Sequence, residues 1–468
     1  MRGQNKIGDN DMETNKKSHP FKAGAAQVDI TPPLGSVING EFTSRYANHI
    51  ADPLYAKALV LQNGTTTLLI MVVDICVMQR DFLDEVKSIV AEQTCIPIQN
   101  QLISSTHTHS AGSVADLLMG HVDWGYRKKL PALLVEAASQ AQQRLVPAQI
   151  GYGWFDEPRH MVCRRYRMKA DYRPFNPVSG GVDAIKTNPF GDESDILERT
   201  SKPDTELRYL AVKGIDNQWI GLLSNYSLHY VGDCERGTIS ADYFGCFAKS
   251  LTELLAAGPA FVGMMSNGTS GEINIWDFLD PGRYPAGNHE RSRLIGEELA
   301  IGVAASLNDV IWETQPALGS HYEEVTVGLR KPTPAELETA REIVAQTDYE
   351  NIRFDQRGYQ QLYAREQVLL AEYPDEKQVP VQAFRIGSGL IGALPGEFFA
   401  ETGLQIKDGR PDKKYFTICL ANDYVGYVPP AHELEKGGYE CWRCRSSHLA
   451  ENAEGILKNS LIAQINSL

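Results

Sequence analysis

Apolar runs alternate along the chain with segments whose apolar residues recur at helical spacing. The run TTLLIMVVD at 66–74 predicts a buried strand, and DFLDEVKSIVAEQT at 81–94 has the spacing of a helix with one apolar face. A strand at 101–105 (QLISS) and a helix at 130–145, with proline in its first turn, follow in the same order. This alternation predicts an α/β fold.

The same pattern continues through the rest of the chain. We expect further strands at 206–213, 218–226, 259–265, 381–394 and 415–421, and further helices at 241–256, 290–306, 334–346, 398–407 and 446–465. Residues 168–204, rich in Pro, Gly, Asn and Asp, are predicted to form a long loop. Residues 1–20 are polar and predict a flexible tail. Because no linker follows the tail, we expect residues 21–468 to form a single domain.

Composition narrows the classes of partner. The chain has 468 residues, 43% of them hydrophobic, and a net charge of −14, which is typical of a globular protein and opposes binding to a phosphate backbone. It lacks both a stretch of about 18 apolar residues and the apolar run of a secretory signal. We therefore expect a cytoplasmic protein with a small-molecule substrate, no nucleic-acid partner and no membrane span. The sequence carries no signal for an oligomeric state.

Histidines and a glutamate follow several of the predicted strands. His107 and His109, in SSTHTHS, come directly after the strand at 101–105, and in an extended segment residues two apart share a face. His229 closes the strand WIGLLSNYSLHY, and Glu397 follows the strand and turn LIGALPGE. Three such ligands would leave zinc an open coordination position. The alternative for each histidine is a hydrogen-bonded structural role.

Read together, several sequence blocks resemble the catalytic domain of the neutral ceramidase family. They are AGAAQVDITPP, SSTHTHS, SNYSLHYVG with SADYFG, MMSNGTSGEIN, LPGEFF and LANDYVGYVPP with GGYE, and they span 21–440 in the family's order. The resemblance implies a layered α/β domain on a mixed sheet, with its metal site at strand ends. It also implies a link to sphingolipid metabolism. The family's C-terminal immunoglobulin-like domain is not expected here.

The resemblance also assigns roles to particular residues. It implies that one zinc ion is bound by His107, His229, Glu397 and Tyr427, with Tyr424 as the alternative tyrosine. It places His109 beside the zinc-bound water as a proton carrier. Arg164 falls where the family has an arginine near the polar head of the substrate, and Tyr439 matches a further tyrosine of the cavity.

One block departs from the family at a catalytic position. Ceramidases carry a serine needed for amide cleavage where this chain has Asn274, in the segment Gly271-Glu272-Ile273-Asn274. Ser270 could substitute in space or could belong only to the turn in NGTSG. We expect Asn274, or the backbone near Gly271, to hold the oxyanion. For Glu272 and for Asp277, surface or supporting roles are expected.

Three functions fit these observations. The leading hypothesis is a zinc-dependent hydrolase that cleaves an amide (N-acyl) bond of a polar substrate with metal-activated water. The second is a metal-dependent carbohydrate-active enzyme, a lyase or hydrolase, suggested by the missing serine and the 20 tyrosines. The third is a binding protein in which the metal is structural, with no open coordination position.

Overall fold

The structure is a computed structural model that describes residues 20–64 and 66–468. All but the last residue of the predicted N-terminal tail lie outside this part. Nine helices lie within the described residues: α1 Arg80–Thr94, α2 Trp124–Gln143, α3 Asp242–Leu254, α4 Glu290–Ser306, α5 Pro334–Ala345, α6 Gln356–Ala371, α7 Ala400–Asp408, α8 Ala431–Leu434 and α9 Ala453–Ser467.

Twenty-four strands lie in the same part of the chain. They are β1 Lys22–Asp29, β2 Val37–Ile38, β3 Arg45–Tyr46, β4 His49–Ile50, β5 Tyr55–Asn63, β6 Thr66–Val73, β7 Gln101–Ser105, β8 Val146–Asp156, β9 Val162–Cys163, β10 Arg165–Met168, β11 Ile185–Thr187, β12 Ile196–Arg199, β13 Glu206–Gly214, β14 Trp219–Tyr226, β15 Thr238–Ile239, β16 Val262–Asn267, β17 Ile273–Asn274, β18 Trp312–Glu313, β19 Leu318–Gly328, β20 Glu376–Ile386, β21 Gly389–Ala393, β22 Glu397–Phe398, β23 Tyr415–Ile418 and β24 Tyr427–Val428.

A nine-stranded mixed sheet forms the centre of the fold. Its order is β16-β14-β13-β8-β1-β5-β6-β7, with β18 added to β8. The pairs β14–β16 and β6–β7 are parallel, and the other pairs are antiparallel. The predicted mixed sheet is therefore confirmed. The parallel pair β14–β16 places the carboxyl ends of these two strands side by side, and Asn267, at the end of β16, donates from Nδ2 to Thr106 O, directly after β7, at 3.4 Å.

Side-chain alternation divides the core into layers. In β6, Leu69, Met71 and Val73 face α1 and α2, whereas the residues between them face a second sheet, β19-β20-β21-β23. Helices α3 and α4 cover the other half of the large sheet, and α9 covers the outer face of the second sheet. The result is a sequence of helix, sheet, sheet and helix layers, which confirms the predicted layered α/β class.

Several predicted boundaries differ from the structure for identifiable reasons. The helix predicted at 130–145 begins at Trp124, where Asp123 caps it by accepting a hydrogen bond from Tyr126 N; Pro131 therefore lies inside the helix. The strand predicted at 381–394 is a hairpin that turns at Gly387, whose φ is +61°. The helix predicted at 446–465 begins at Ala453.

Other elements were not predicted from the sequence. The region 168–204, predicted as a loop, carries β11 and β12, which pair with β10 in a small sheet. Helix α6 and strands β8 and β19 were missed as well. No helix among the described residues is long and apolar enough to cross a membrane.

Candidate metal centre

His107 lies two residues beyond the end of β7. The chain leaves the sheet as Thr106 N donates to Val73 O and His107 N donates to Ile75 O, and His107 takes a left-handed φ of +73°. The segment is therefore not extended. The expectation that His107 and His109 share a face assumed an extended strand, and that assumption was wrong. The two imidazoles do meet, with their Nε2 atoms 3.2 Å apart.

His229 and Glu397 reach the same point from two other strand ends. His229 follows β14 by three residues. Glu397 begins β22, which pairs in parallel with β24 so that Glu397 lies opposite Tyr427. The pairing is fixed by Glu397 N, which donates to Gly426 O at 2.8 Å.

The three side chains bring their ligand atoms close to one another. Oε2 of Glu397 is 3.4 Å from Nε2 of His107 and 3.5 Å from Nε2 of His229, and the three ligand atoms lie within 4.8 Å of one another. Within the described part of the chain, neither His229 Nε2 nor Glu397 Oε2 has a hydrogen-bond partner. Buried polar atoms left unpaired at one point fit a divalent cation with N and O ligands.

Hydrogen bonds on the far side of each imidazole fix the ring orientation. Nδ1 of His107 is 2.9 Å from Cys76 O, and Nδ1 of His229 is 3.0 Å from Ser270 O. Because a carbonyl oxygen only accepts, Nδ1 carries the hydrogen in both rings. Nε2 is then the atom available to a metal, and backbone support of this kind is typical of metal-ligating histidines.

The charges of this buried cluster are strongly coupled. Burial opposes ionisation of Glu397, but His107, His229 and the hydroxyl of Tyr424 outweigh it and lower its pKa to about 2. Burial also disfavours the protonated form of His107, yet the carboxylate of Glu397 raises its pKa well above the usual value. Burial, Arg164 and His107 lower the pKa of His229. The cluster thus presents one firmly ionised carboxylate.

His109 lies beside the cluster between a glycine and a tyrosine. Its ring stacks on Tyr230, with ring centroids 3.5 Å apart and an interplanar angle of 15°. Its Nδ1 has no hydrogen-bond partner among residues 20–64 and 66–468. Burial and the nearby charges of His107, His229 and Arg45 lower the pKa of His109 well below its usual value. His109 is therefore neutral.

Two tyrosines approach Glu397 in different ways. The Tyr424 hydroxyl donates to Oε1 of Glu397 at 2.8 Å. The Tyr427 hydroxyl accepts from Nη2 of Arg164 at 3.1 Å. Arg164 is itself buried and donates to Glu440 Oε1 and Gly271 O, each at 2.7 Å. The structure thus places Arg164 behind Tyr427, where it orients the phenol, and not at the cavity surface.

The serine and asparagine considered for amide cleavage lie outside this cluster. The Ser270 hydroxyl donates to Asn267 Oδ1 at 2.7 Å, while Ser270 O supports His229. Asn274 is buried and donates to Asn188 Oδ1 at 2.8 Å. Gly271 N donates to Phe398 O. The structure brings none of these donors to the cavity next to His107.

The two carboxylates assigned surface or supporting roles behave differently. Asp277 forms ion pairs with Arg199 and Arg283. Glu272 is fully buried, so a surface role is excluded for it. Its carboxylate accepts Ala400 N at the start of α7 and the Ser201 hydroxyl.

A small cavity borders the cluster. It has a volume of about 30 Å³ and is lined by Gly40, Glu41, Cys76, His107, His109, Leu117, Leu118, Glu397, Tyr424, Tyr427, Tyr439 and Ser446. Sequence analysis found the histidines, Glu397 and the tyrosines of this set. It missed Gly40, Glu41, Cys76, Leu117, Leu118, Ser446 and, against His109, Tyr230. Of these only Tyr230 carried a signal, as the residue directly after His229.

Comparisons with known proteins identify the fold. A neutral ceramidase from Pseudomonas aeruginosa superposes with a TM-score of 0.68 at 16% sequence identity, over 95% of this chain and 74% of that one. A ceramidase described as complexed with C2 superposes with a TM-score of 0.66 at 16% identity, over 95% and 75%. No protein-family model and no curated protein matches the chain. The fold predicted from the sequence blocks is thus confirmed.

Proposed function

We propose that this chain is a zinc-dependent hydrolase that cleaves an amide (N-acyl) bond of a polar small molecule. The observation that carries the proposal is the convergence of His107 Nε2, His229 Nε2 and Glu397 Oε2, two of which have no other partner in the described residues. Two imidazoles and a carboxylate are the ligand set of many catalytic zinc sites. The fold shared with two ceramidases supports amide cleavage as the reaction.

The residues that would hold zinc are His107, His229 and Glu397, with Tyr427 as a fourth. Tyr427 lies opposite Glu397 in the β22–β24 pair, and Arg164 supplies a positive charge next to its oxygen. Zinc at this point would supply a Lewis acid for the substrate carbonyl and would make water easier to ionise. Tyr424 keeps Glu397 in place from the opposite oxygen.

His109 is suited to receive the proton that the attacking water loses. It lines the cavity, it is held neutral, and its Nε2 lies 3.2 Å from Nε2 of His107, at the proposed metal position. Stacking on Tyr230 fixes the ring plane. A general base positioned in this way contributes about 10²–10⁴-fold to a rate. The same nitrogen can return the proton to the departing amine.

Tyr439 is suited to stabilise the oxyanion. It lines the cavity beside Tyr427, with ring centroids 5.6 Å apart. Burial and the charge of Glu397 raise its pKa, so the phenol keeps its proton. A neutral hydroxyl in a cavity shielded from water can donate to negative charge that develops on a carbonyl oxygen.

The test of the metal centre is the metal content of purified protein by mass spectrometry. We expect one zinc ion per chain in the wild type, and loss of zinc in His107→Ala and in His229→Ala. His432→Ala, at an exposed histidine on α8, serves as the matched control and should keep its zinc. Stoichiometric zinc in the double variant of His107 and His229, or no uptake by the wild type, would refute the site.

A metal-dependent carbohydrate-active enzyme is the second candidate. The observation that favours it is a cluster of aromatic rings beside the cavity, in which Phe42 contacts Phe354, Tyr359 and Tyr439 with centroids 5.4–5.9 Å apart. Rings of this kind present apolar faces on which a sugar ring can lie. Incubation with uronic-acid oligosaccharides separates the two functions, because only elimination creates the conjugated double bond that absorbs ultraviolet light.

A further inference from the structure

A leucine pair covers the cavity next to the candidate metal centre. Leu117 and Leu118 both line the cavity, and both side chains are at least nine-tenths buried. Leu118 takes a left-handed φ of +49°, which turns the chain sharply at this point. The turn is closed by Gly120 N, which donates to Leu117 O at 2.7 Å, and by Met119 N, which donates to Phe42 O at 3.0 Å.

Two arginines hold this leucine pair in place. Leu118 O accepts hydrogen bonds from Arg365 Nη1 and from Arg445 Nη2, each at 2.8 Å. Arg445 in turn forms two hydrogen bonds of 2.9 Å with the fully buried carboxylate of Glu366, and an ion pair of 3.1 Å with Asp116. Charge-assisted bonds are stronger than neutral ones, so displacing the leucines is costly. The cover is rigid.

The entrance to the cavity is polar. Among the described residues that line it, only Glu41 is exposed. Its carboxylate lies 3.2 Å from Arg45 Nη1 and 3.0 Å from Arg236 Nη1. An apolar chain passing this point would displace the hydration of three charged groups without replacing it, which is unfavourable. A polar group would keep those groups solvated or hydrogen-bonded.

The volume indicates the size of the group that fits between the leucine pair and the metal ligands. The cavity has about 30 Å³, and a water-sized group needs about 10–15 Å³ of such volume. Two or three water-sized groups therefore fit. An acetyl group has about this size. A chain of eight or more carbons would have to move the leucine pair.

We propose that Leu117 and Leu118 restrict the enzyme to N-acyl substrates whose acyl group is about the size of acetyl and whose amine part is polar. This inference rests on the proposed function, since it concerns the substrate of the same metal centre. It assigns the two leucines as specificity-determining residues. Arg365, Arg445 and Glu366 act through Leu118 and are positioning residues.

The test measures binding of hydroxamic acids to the zinc-loaded protein by calorimetry. Hydroxamates bind zinc directly and carry the acyl chain under study, so no knowledge of the amine part is needed. We expect acetohydroxamate to bind at least about tenfold more tightly than octanohydroxamate. Leu117→Ala and Leu118→Gly should each strengthen octanohydroxamate binding by about tenfold or more, with acetohydroxamate little changed. Glycine at 118 is compatible with the positive φ.

The control variant is Leu254→Ala, at an exposed leucine that ends α3; it should reproduce the wild-type ratio. Zinc content and thermal unfolding of each variant exclude misfolding as the cause of a change. Equal or tighter binding of octanohydroxamate by the wild type would overturn the inference while leaving the metal centre intact. Failure of every hydroxamate to bind protein that holds zinc would instead overturn the proposed function, because the metal would have no open position.

Discussion

At the scale of single residues, the candidate metal centre depends on backbone conformations that most residues avoid. His107 has a φ of +73°, and Gly40, which packs on His109, has a φ of +106°. A left-handed backbone at a non-glycine residue costs about 1–3 kcal/mol and persists where the surroundings enforce it. For His107 the surroundings are the bonds of its N–H to Ile75 O and of its Nδ1 to Cys76 O.

Gly40 offers a test of the role of His109. A Cβ atom at position 40 would lie 2.6 Å from Cγ and 2.8 Å from Nδ1 of His109. Gly40→Ala should therefore displace the imidazole and lower kcat by about 10²-fold or more, as expected when a general base is misplaced. Zinc content should stay at the wild-type level, because His109 is outside the proposed ligand set.

The matched control for this prediction is Gly191→Ala. Position 191 also has a positive φ, +81°, but a Cβ atom there would meet nothing within 4 Å. Its activity should equal that of the wild type. Unchanged kcat in Gly40→Ala would show that the position of His109 does not limit the reaction.

Tyr427 and Tyr424 can be distinguished by single substitutions. Tyr427→Phe removes an oxygen that lies under the positive charge of Arg164, whereas Tyr424→Phe removes a hydrogen bond to Glu397. If Tyr427 is the fourth ligand, its variant should lose more zinc affinity than the Tyr424 variant, which should lose about 10–100-fold as a supporting residue does. Competition with a fluorescent chelator measures both. The reverse order would make Tyr424 the ligand.

The sequence predicted some residues of this centre better than others. His107, His229 and Glu397 were found because each follows an apolar run that really is a strand, and strand ends converge in α/β folds. Asn274 and Ser270 were chosen by alignment position alone, and their hydrogen bonds to Asn188 and Asn267 turn them away from the cavity. The partner of Asn274 lies 86 positions away and leaves no local pattern, whereas the partner of Ser270 lies three positions away in the same turn.

At the scale of elements, the junction of β22 and α7 holds Glu397 from both sides. Gly271 N donates to Phe398 O, and Ala400 N, at the start of α7, donates to the carboxylate of Glu272. The start of a helix leaves backbone N–H groups that need an acceptor. Glu272 satisfies one of them three residues after Glu397, so it fixes the point at which the chain turns from the ligand into the helix.

Glu272→Ala should therefore weaken both the fold and the metal centre. An unpaired buried N–H costs about 1–3 kcal/mol of unfolding free energy, and loss of a residue that supports a ligand costs about 10–100-fold in metal affinity. Glu272→Gln keeps an oxygen that can accept from Ala400 N, and it should retain most of both. Urea denaturation and zinc competition measure the two effects. Wild-type zinc affinity in Glu272→Ala would contradict this account of the junction.

Element boundaries were predictable where a local signal exists and not elsewhere. The predicted helix at 290–306 coincides with α4, and the strand at 101–105 coincides with β7. The first turn of α2 was missed because tertiary contacts, not proline, set its start: Asp123 caps the helix and also accepts from Val37 N. Helix α6, which was missed, packs against α5, and its Glu366 accepts hydrogen bonds from Arg445 in a distant segment.

At the scale of the whole molecule, the pairing of two sheets back to back was beyond sequence prediction. Alternation in β6 shows only that both of its faces are buried, and a buried strand has the same pattern whether helices or a second sheet cover it. The placement of the second sheet against the large sheet depends on contacts between residues more than 200 positions apart, such as the hydrogen bonds of Tyr152 to Ile386 O and of Arg208 to Tyr415 O. One consequence is a lysine, Lys87, enclosed where α1 meets β19.

Lys87 gives a pH test of this arrangement. It is 2% exposed, its Nζ lies 5.7 Å from the centroid of the Tyr322 ring in β19, and burial, with the charge of Arg80 next, lowers its pKa to about 7. The folded state binds this proton more weakly than the unfolded state. The contribution of Lys87 to the unfolding free energy is therefore most favourable above pH 10.5 and becomes less favourable as the pH falls towards 7. Between pH 7 and 9 its contribution should raise the unfolding free energy by about 2 kcal/mol.

Lys87→Met should remove this dependence and stabilise the protein at pH 7, because a methionine of similar length fills the same space without a charge to desolvate. Urea denaturation of the wild type and the variant at pH 7, 8 and 9 measures the difference, which should shrink as the pH rises. Lys249→Met, at an exposed lysine on α3, controls for the loss of one charge and should show a constant difference. A constant difference for Lys87→Met as well would mean that Lys87 is solvated, and that α1 and the second sheet do not enclose it.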